Sequence, residues 1–130
     1  MMRRGILLIG HGSRNGKSRE VLETIASIMQ EKSGIITLPC FLEFDKPGVS
    51  DGLAEIIEKA EEITAVPMLF AEGTHSKETI PTLLGLAGSQ HRTIIRKDGT
   101  AVRLTYTEPI GADPELADIL LRKAGINRRA

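Results

Sequence analysis

The run Gly5-Ile6-Leu7-Leu8-Ile9-Gly10-His11-Gly12-Ser13-Arg14 constrains this chain more than any other stretch. A short apolar run bounded by glycine reads as a strand buried on both faces, the kind found inside parallel sheets. The run stops at a histidine held between two glycines. Glycine there lets the backbone turn sharply and lets a ligand approach. His11 is therefore expected at the carboxyl end of a strand, where open α/β sheets bind their ligands. Val66-Pro67-Met68-Leu69-Phe70-Ala71-Glu72-Gly73-Thr74-His75 repeats the arrangement, with His75 as the second imidazole.

The rest of the chain fits an alternating pattern. Residues 4–10 are the first strand. Helical spacing of Val21, Leu22, Ile25, Ile28 and Met29 predicts a helix from Ser18 to Lys32, with Ser18 as its cap and Ser33-Gly34 as its close. Residues 35–42 read as a second strand, and Pro39 places it at a sheet edge or on a bulge. A loop over 43–48 leads to a helix from Ser50 to Ile63, with Leu53, Ile56, Ile57 and Ala60 on its apolar stripe. A third strand covers 64–70, and a shorter helix runs from Lys77 to Ala87. Residues 88–100 read as a mobile loop with a turn at Asp98-Gly99, and residues 101–107 as a fourth strand. Asp113 and Pro114 then open a last helix that carries Leu116, Ile119, Leu120 and Ala124. Strands alternating with helices imply βαβ units and a mostly parallel, four-stranded sheet in an α/β domain over residues 1–130.

Composition excludes several classes. The formal net charge is zero and aromatics are 3% of the chain, so neither charge nor stacking residues support nucleic acid as a partner. No apolar stretch approaches the ~20 residues that span a bilayer. Met1-Met2-Arg3-Arg4 is followed by too short an apolar run for a signal peptide, and the basic end Asn127-Arg128-Arg129-Ala130 reads as a frayed, solvated tail. The single cysteine, Cys40, excludes an internal disulfide and has the spacing of a buried strand residue. A cytoplasmic protein with no membrane partner is expected.

In this topology His11, His75 and Glu43 leave the sheet at the same edge. Neutral imidazole binds first-row divalent metals and also accepts protons near neutral pH. Two protein ligands leave coordination positions open, unlike the closed four-ligand set of structural zinc. Such a site suits a metal that is handed on. Arg14, Lys17, Arg19 and Lys77 flank the histidines in sequence, together with helix starts, and would attract a polyanion. His91 falls in the loop and reads as solvated. A histidine phosphatase also ends a strand in His-Gly, but it wants arginine directly before the histidine, where this chain has Gly10.

Four ordered segments resemble one family. Leu8-Ile9-Gly10-His11-Gly12-Ser13-Arg14, Phe41-Leu42-Glu43-Phe44-Asp45-Lys46-Pro47, the segment from Val66 to His75 with Lys77, Ile80 and Pro81 behind it, and Glu108-Pro109-Ile110-Gly111-Ala112-Asp113-Pro114 are similar to the motifs of the small class II chelatases, the short sirohydrochlorin cobaltochelatases. The resemblance implies a flavodoxin-like three-layer fold and insertion of a divalent metal, cobalt or nickel, into sirohydrochlorin without ATP or any further cofactor. It implies that His11 binds metal and accepts a pyrrole proton, and that His75 is its metal-binding partner. Glu43 matches an acidic position facing the tetrapyrrole, and Leu69, Phe70, Ala71, Glu72, Gly73 and Thr74 match a segment lining the substrate. It also implies a homodimer with the cleft between its copies. A carrier that binds metal or tetrapyrrole without turnover would use the same residues.

Overall fold

The computed structural model describes residues 2–126; Met1 and the basic tail at 127–130 lie outside the described residues. Five strands form one sheet: β1 (Arg4–Gly10), β2 (Ile36–Phe41), β3 (Glu62–Pro67), β4 (His91–Ile95) and β5 (Ala101–Tyr106). Their order is β2-β1-β3-β5-β4, with every pairing parallel except β4 against β5. The helices are α1 (Lys17–Ser33), α2 (Val49–Ile56), α3 (Ile80–Leu84) and α4 (Pro114–Lys123), with a π-helical turn at His75–Thr79 directly before α3. Among the described residues no helix is long and apolar enough to cross a membrane.

The expected α/β layering is present, with one strand more than the four expected. The extra strand lies in the segment expected to be a mobile loop. Residues 91–95 and 101–106 form a hairpin instead. Its turn is closed by Asp98, whose Oδ1 accepts from the Thr100 amide at 2.9 Å and from its hydroxyl at 2.6 Å. The β4 side chains are mostly exposed, so the apolar signal that marks a buried strand is missing. His91 is exposed, as expected of a solvated residue, but sits on this edge strand with Nδ1 3.3 Å from Thr105 Oγ1.

Other boundaries moved for local reasons. The second helix ends at Ile56, well short of the expected Ile63, which instead belongs to β3. The third helix is broken into the π-turn and the short α3, and ends at Leu84 on the left-handed Gly85. Ser18 does not cap α1. Gly16 holds the cap position, and Ser13 Oγ accepts the Ser18 amide at 3.0 Å. Asp113 does cap α4, accepting from the Glu115 amide at 2.8 Å. Pro39 lies on an edge strand, since β2 pairs only with β1.

Alternation along the strands divides the core. Leu7 and Ile9 face α2 and α3 in the larger cluster with Cys40, Leu53, Ile56, Ile63, Ala65, Ile80, Leu84, Val102 and Leu104. Leu8 faces the other way and meets Leu22 and Ala26 of α1, with Phe41 beside them. The Cys40 thiol is fully buried and burial pushes it up to about 12, so it is packing rather than a ligand. None of the residues of α4 is buried: Ile119, Leu120 and Leu121 stand open to solvent, with Leu120 61% exposed.

Candidate functional site

The carboxyl ends of β1, β2 and β3 are laced together beyond the strands themselves. The Leu42 amide donates to Gly10 O and the Glu43 amide to His11 O, each at 3.0 Å. The Met68 amide donates to Ile9 O at 2.7 Å. These bonds carry the parallel ladders past the last strand residues and deliver three loops to one place. Gly12 makes the closest approach. Its φ is +90°, and a Cβ there would run into the carbonyl oxygen of Glu43. Only glycine meets both demands.

Asp45, which sequence reasoning passed over as a site residue, ties the two loops from the β2 side. Its Oδ2 accepts the Ser13 amide at 3.0 Å, and its side chain is only 7% exposed. Arg19 on α1 reaches the same carboxylate at 3.9 Å. Arg14 lies over the Phe44 ring at 4.9 Å, and Phe44 takes a left-handed φ of 66°. The first histidine loop is therefore clamped to the loop after β2 along its length.

The two imidazoles meet as the topology requires. The ring centroids of His11 and His75 are 5.1 Å apart, with the planes tilted by 54°. Nε2 of His11 stands 3.7 Å from Oε2 of Glu43, an ion pair only when the ring carries its second proton. Both side chains are about half exposed, at 48% and 50%, so a ligand from solvent can reach them. Among the described residues no group of three or more histidine, cysteine, aspartate or glutamate side chains could enclose a metal. The pair resembles an open rest for a metal rather than a cage.

The segment after β3 is split in its behaviour. Leu69 is half-buried and packs on the main core. Phe70, Ala71, Glu72, Gly73 and Thr74 are exposed, Phe70 at 70%. Leu69 O and Phe70 O accept amides from Ile110 and Gly111 at 2.9 and 2.8 Å, so the motif before α4 braces this segment. Glu72 turns toward a cavity of about 240 Å³ that it lines with Ser76, Lys77, Tyr106 and Glu108. A larger groove of about 700 Å³ lies between α1 and the β2 edge. Its lining includes Glu23 and Glu31 but no lysine, arginine or histidine, so it is the wrong chemistry for a polyanion or a metal. The loops and helix starts that follow β1, β2 and β3 carry the basic residues Arg14, Lys17, Arg19, Lys46 and Lys77.

An open sheet with facing imidazoles at its carboxyl edge is the arrangement of a class II chelatase. The family described as CbiX matches residues 5–125. Sirohydrochlorin cobaltochelatase of Saccharolobus solfataricus is 33% identical over 120 residues, covering 92% of this chain and 91% of that protein. The protein of the same name from Methanothermobacter thermautotrophicus is 34% identical over 127 residues, covering 89% and 87%. The cobalt complex of the sirohydrochlorin chelatase SirB from Bacillus subtilis subspecies spizizenii superposes with a TM-score of 0.78 at 26% identity. That superposition covers 95% of this chain but 50% of SirB, so this chain spans half the length of that relative. The chain belongs to the CbiX family.

Proposed function

We propose that this protein is a sirohydrochlorin chelatase, which inserts a divalent metal, cobalt in the first instance, into the macrocycle. The observation that carries the reading is the His11–His75 pair, with ring centroids 5.1 Å apart at the sheet's carboxyl edge, His11 exposed and His75 half-buried. Insertion must remove two N–H protons from the tetrapyrrole and strip the metal of its ligands. Two imidazoles hold a metal weakly enough to release it. Each imidazole that gives up the metal regains a free lone pair, so two departing protons find two acceptors. His11 is the better placed of the two. Once protonated, it forms an ion pair with Glu43, already 3.7 Å away. No phosphate-binding loop is needed, and the reading is of an ATP-independent reaction on residues 1–130 as one chelatase domain.

The basic side chains around the loops are assigned to the substrate's carboxylates, which they meet by charge-assisted hydrogen bonds. Exposed Phe70 and the backbone from Ala71 to Thr74 supply the surface on which the macrocycle lies. Nickel remains the second metal of this reading, because imidazole ligation does not separate it from cobalt. The reading includes a homodimer and a cytoplasmic setting, the latter fitting a single buried thiol. The dimer is supported by the exposed apolar side chains of α4, Leu120 above all, and by the match to half of a longer chelatase. A second copy would supply the missing half.

The test is the absorbance of sirohydrochlorin over time, with protein well below substrate and cobalt or nickel in separate cuvettes. Catalytic conversion beyond the protein-free control is expected. Conversion limited to the amount of protein would make it a carrier instead. Light scattering on the same sample should give twice the chain mass, and Leu120→Glu should return it to one.

A further inference from the structure

The π-helical turn that carries His75 has a second feature. Its widened register is set by Ile80, whose amide donates to the carbonyl of His75, five residues back. The next bond of that register would run from residue 81 to Ser76 O, but residue 81 is proline and has no amide hydrogen. Tyr106 takes the vacant place: its hydroxyl donates to Ser76 O at 2.9 Å within the core. Burial, with help from Glu72, pushes that phenol up to about 12, so it stays a donor. Ser76 adds a local brace, its Oγ accepting the Gly73 amide at 2.9 Å. The turn is thus held open by side chains, and π-turns of this kind recur at functional sites.

In this register the side chains at 75 and 79 stack. Nδ1 of His75 lies 3.3 Å from Thr79 Oγ1, and both residues are half-buried. We propose that Thr79 is a positioning residue for His75: its oxygen accepts the Nδ1–H, fixes that tautomer and leaves the Nε2 lone pair to meet the metal. The inference rests on the chelatase reading of the histidine pair. Its chemical basis is general. A metal-binding imidazole must carry its proton on the other nitrogen, and the acceptor of that proton orients the ring.

The test is a long-range proton–nitrogen correlation spectrum of the metal-free protein with neutral rings, with His75 assigned by its loss in His75→Ala. Wild type and Thr79→Ser should show the Nδ1–H tautomer. Thr79→Val, nearly the same shape without the acceptor, should shift toward Nε2–H and weaken cobalt binding about tenfold, while its thermal unfolding stays near wild type. An Nε2–H tautomer in wild type, with Thr79 donating instead, would overturn the proposal. So would a Val variant with unchanged tautomer and cobalt affinity in a protein that inserts metal. Failure of the chelatase reading shows separately, as wild-type protein that performs no catalytic insertion.

Discussion

His11 and His75 face each other, yet the chain holds them by different means. His11 is held chiefly by backbone, with the Asp45 carboxylate as a side-chain clamp. Its carbonyl accepts the Glu43 amide, its neighbour Gly12 presses against the Glu43 carbonyl, and the Ser13 amide is clamped by Asp45. His75 is held by side chains. Tyr106 props the turn through Ser76 O, and Thr79 sits beside the ring. Sheet-edge backbone is the stiffer support, because each of its bonds continues a ladder with little freedom to lose. A helical turn braced by side chains can be altered one atom at a time. One imidazole is thus set by topology and the other by local chemistry, and substitutions should separate them.

The largest effect should come from removing either ring. His11→Ala and His75→Ala should each lower metal insertion by about 100-fold or more while the far-ultraviolet circular dichroism stays native. Equal and undiminished activity in both variants would remove the pair from the chemistry. Next is the backbone support. Gly12→Ala forces a Cβ into the Glu43 carbonyl at a left-handed φ and should cost about 1–3 kcal/mol in urea unfolding. A neutral result there would break the contrast between the two supports.

On the other side, Tyr106→Phe leaves Ser76 O unpaired in the core. It should destabilise by about 1–3 kcal/mol, and its loss of activity should track weaker cobalt binding. Tyr106 also gives an alkaline signature. Its folded value of about 12 lies above the ordinary 10.0, so its contribution is intact below about pH 10 and is lost as pH rises toward 12. The Phe variant should lose that slope.

The smallest effect concerns a control far from both rings. Glu61 bonds Arg3 at 2.7 Å and Arg96 at 2.9 Å. Hydrogen bonds from Arg3 and then Arg96 hold its carboxyl down to about 2, against an ordinary 4.5. Stability from this group is present above pH 4.5 and fades as pH falls toward 2. Glu61→Gln should flatten that acid limb and leave insertion unchanged. A change in activity would mean that the site is not confined to the carboxyl edge.

Much of this molecule was legible in the chain itself. The buried run from Leu7 to Ile9, the existence of α1 and the proline of an edge strand declare themselves through periodicity. The expected apolar stripe of α1, however, is buried only at Leu22 and in part at Met29, with Ala26 beside them, while Val21, Ile25 and Ile28 stand exposed. Periodicity also placed both histidines after strands, and a parallel order then sends them to one edge. The hairpin strand β4 was not legible, since an exposed edge strand such as His91–Ile95 needs no apolar face. Nor was Asp45, whose role depends on an amide 32 positions earlier.

Thr79 had a partial signal, four residues after His75. The π register that brings the two together depends on Pro81 and on Tyr106 arriving from a distant strand. Local pattern and connectivity in the chain are enough to give the buried parallel strands β1, β2 and β3 and the edge at which the imidazoles emerge. Only the folded chain sets how far apart the imidazoles stand, what braces each of them and which apolar side chains of α1 and α4 stay exposed. Those depend on contacts between segments far apart in the chain, and a local pattern carries no record of such distances.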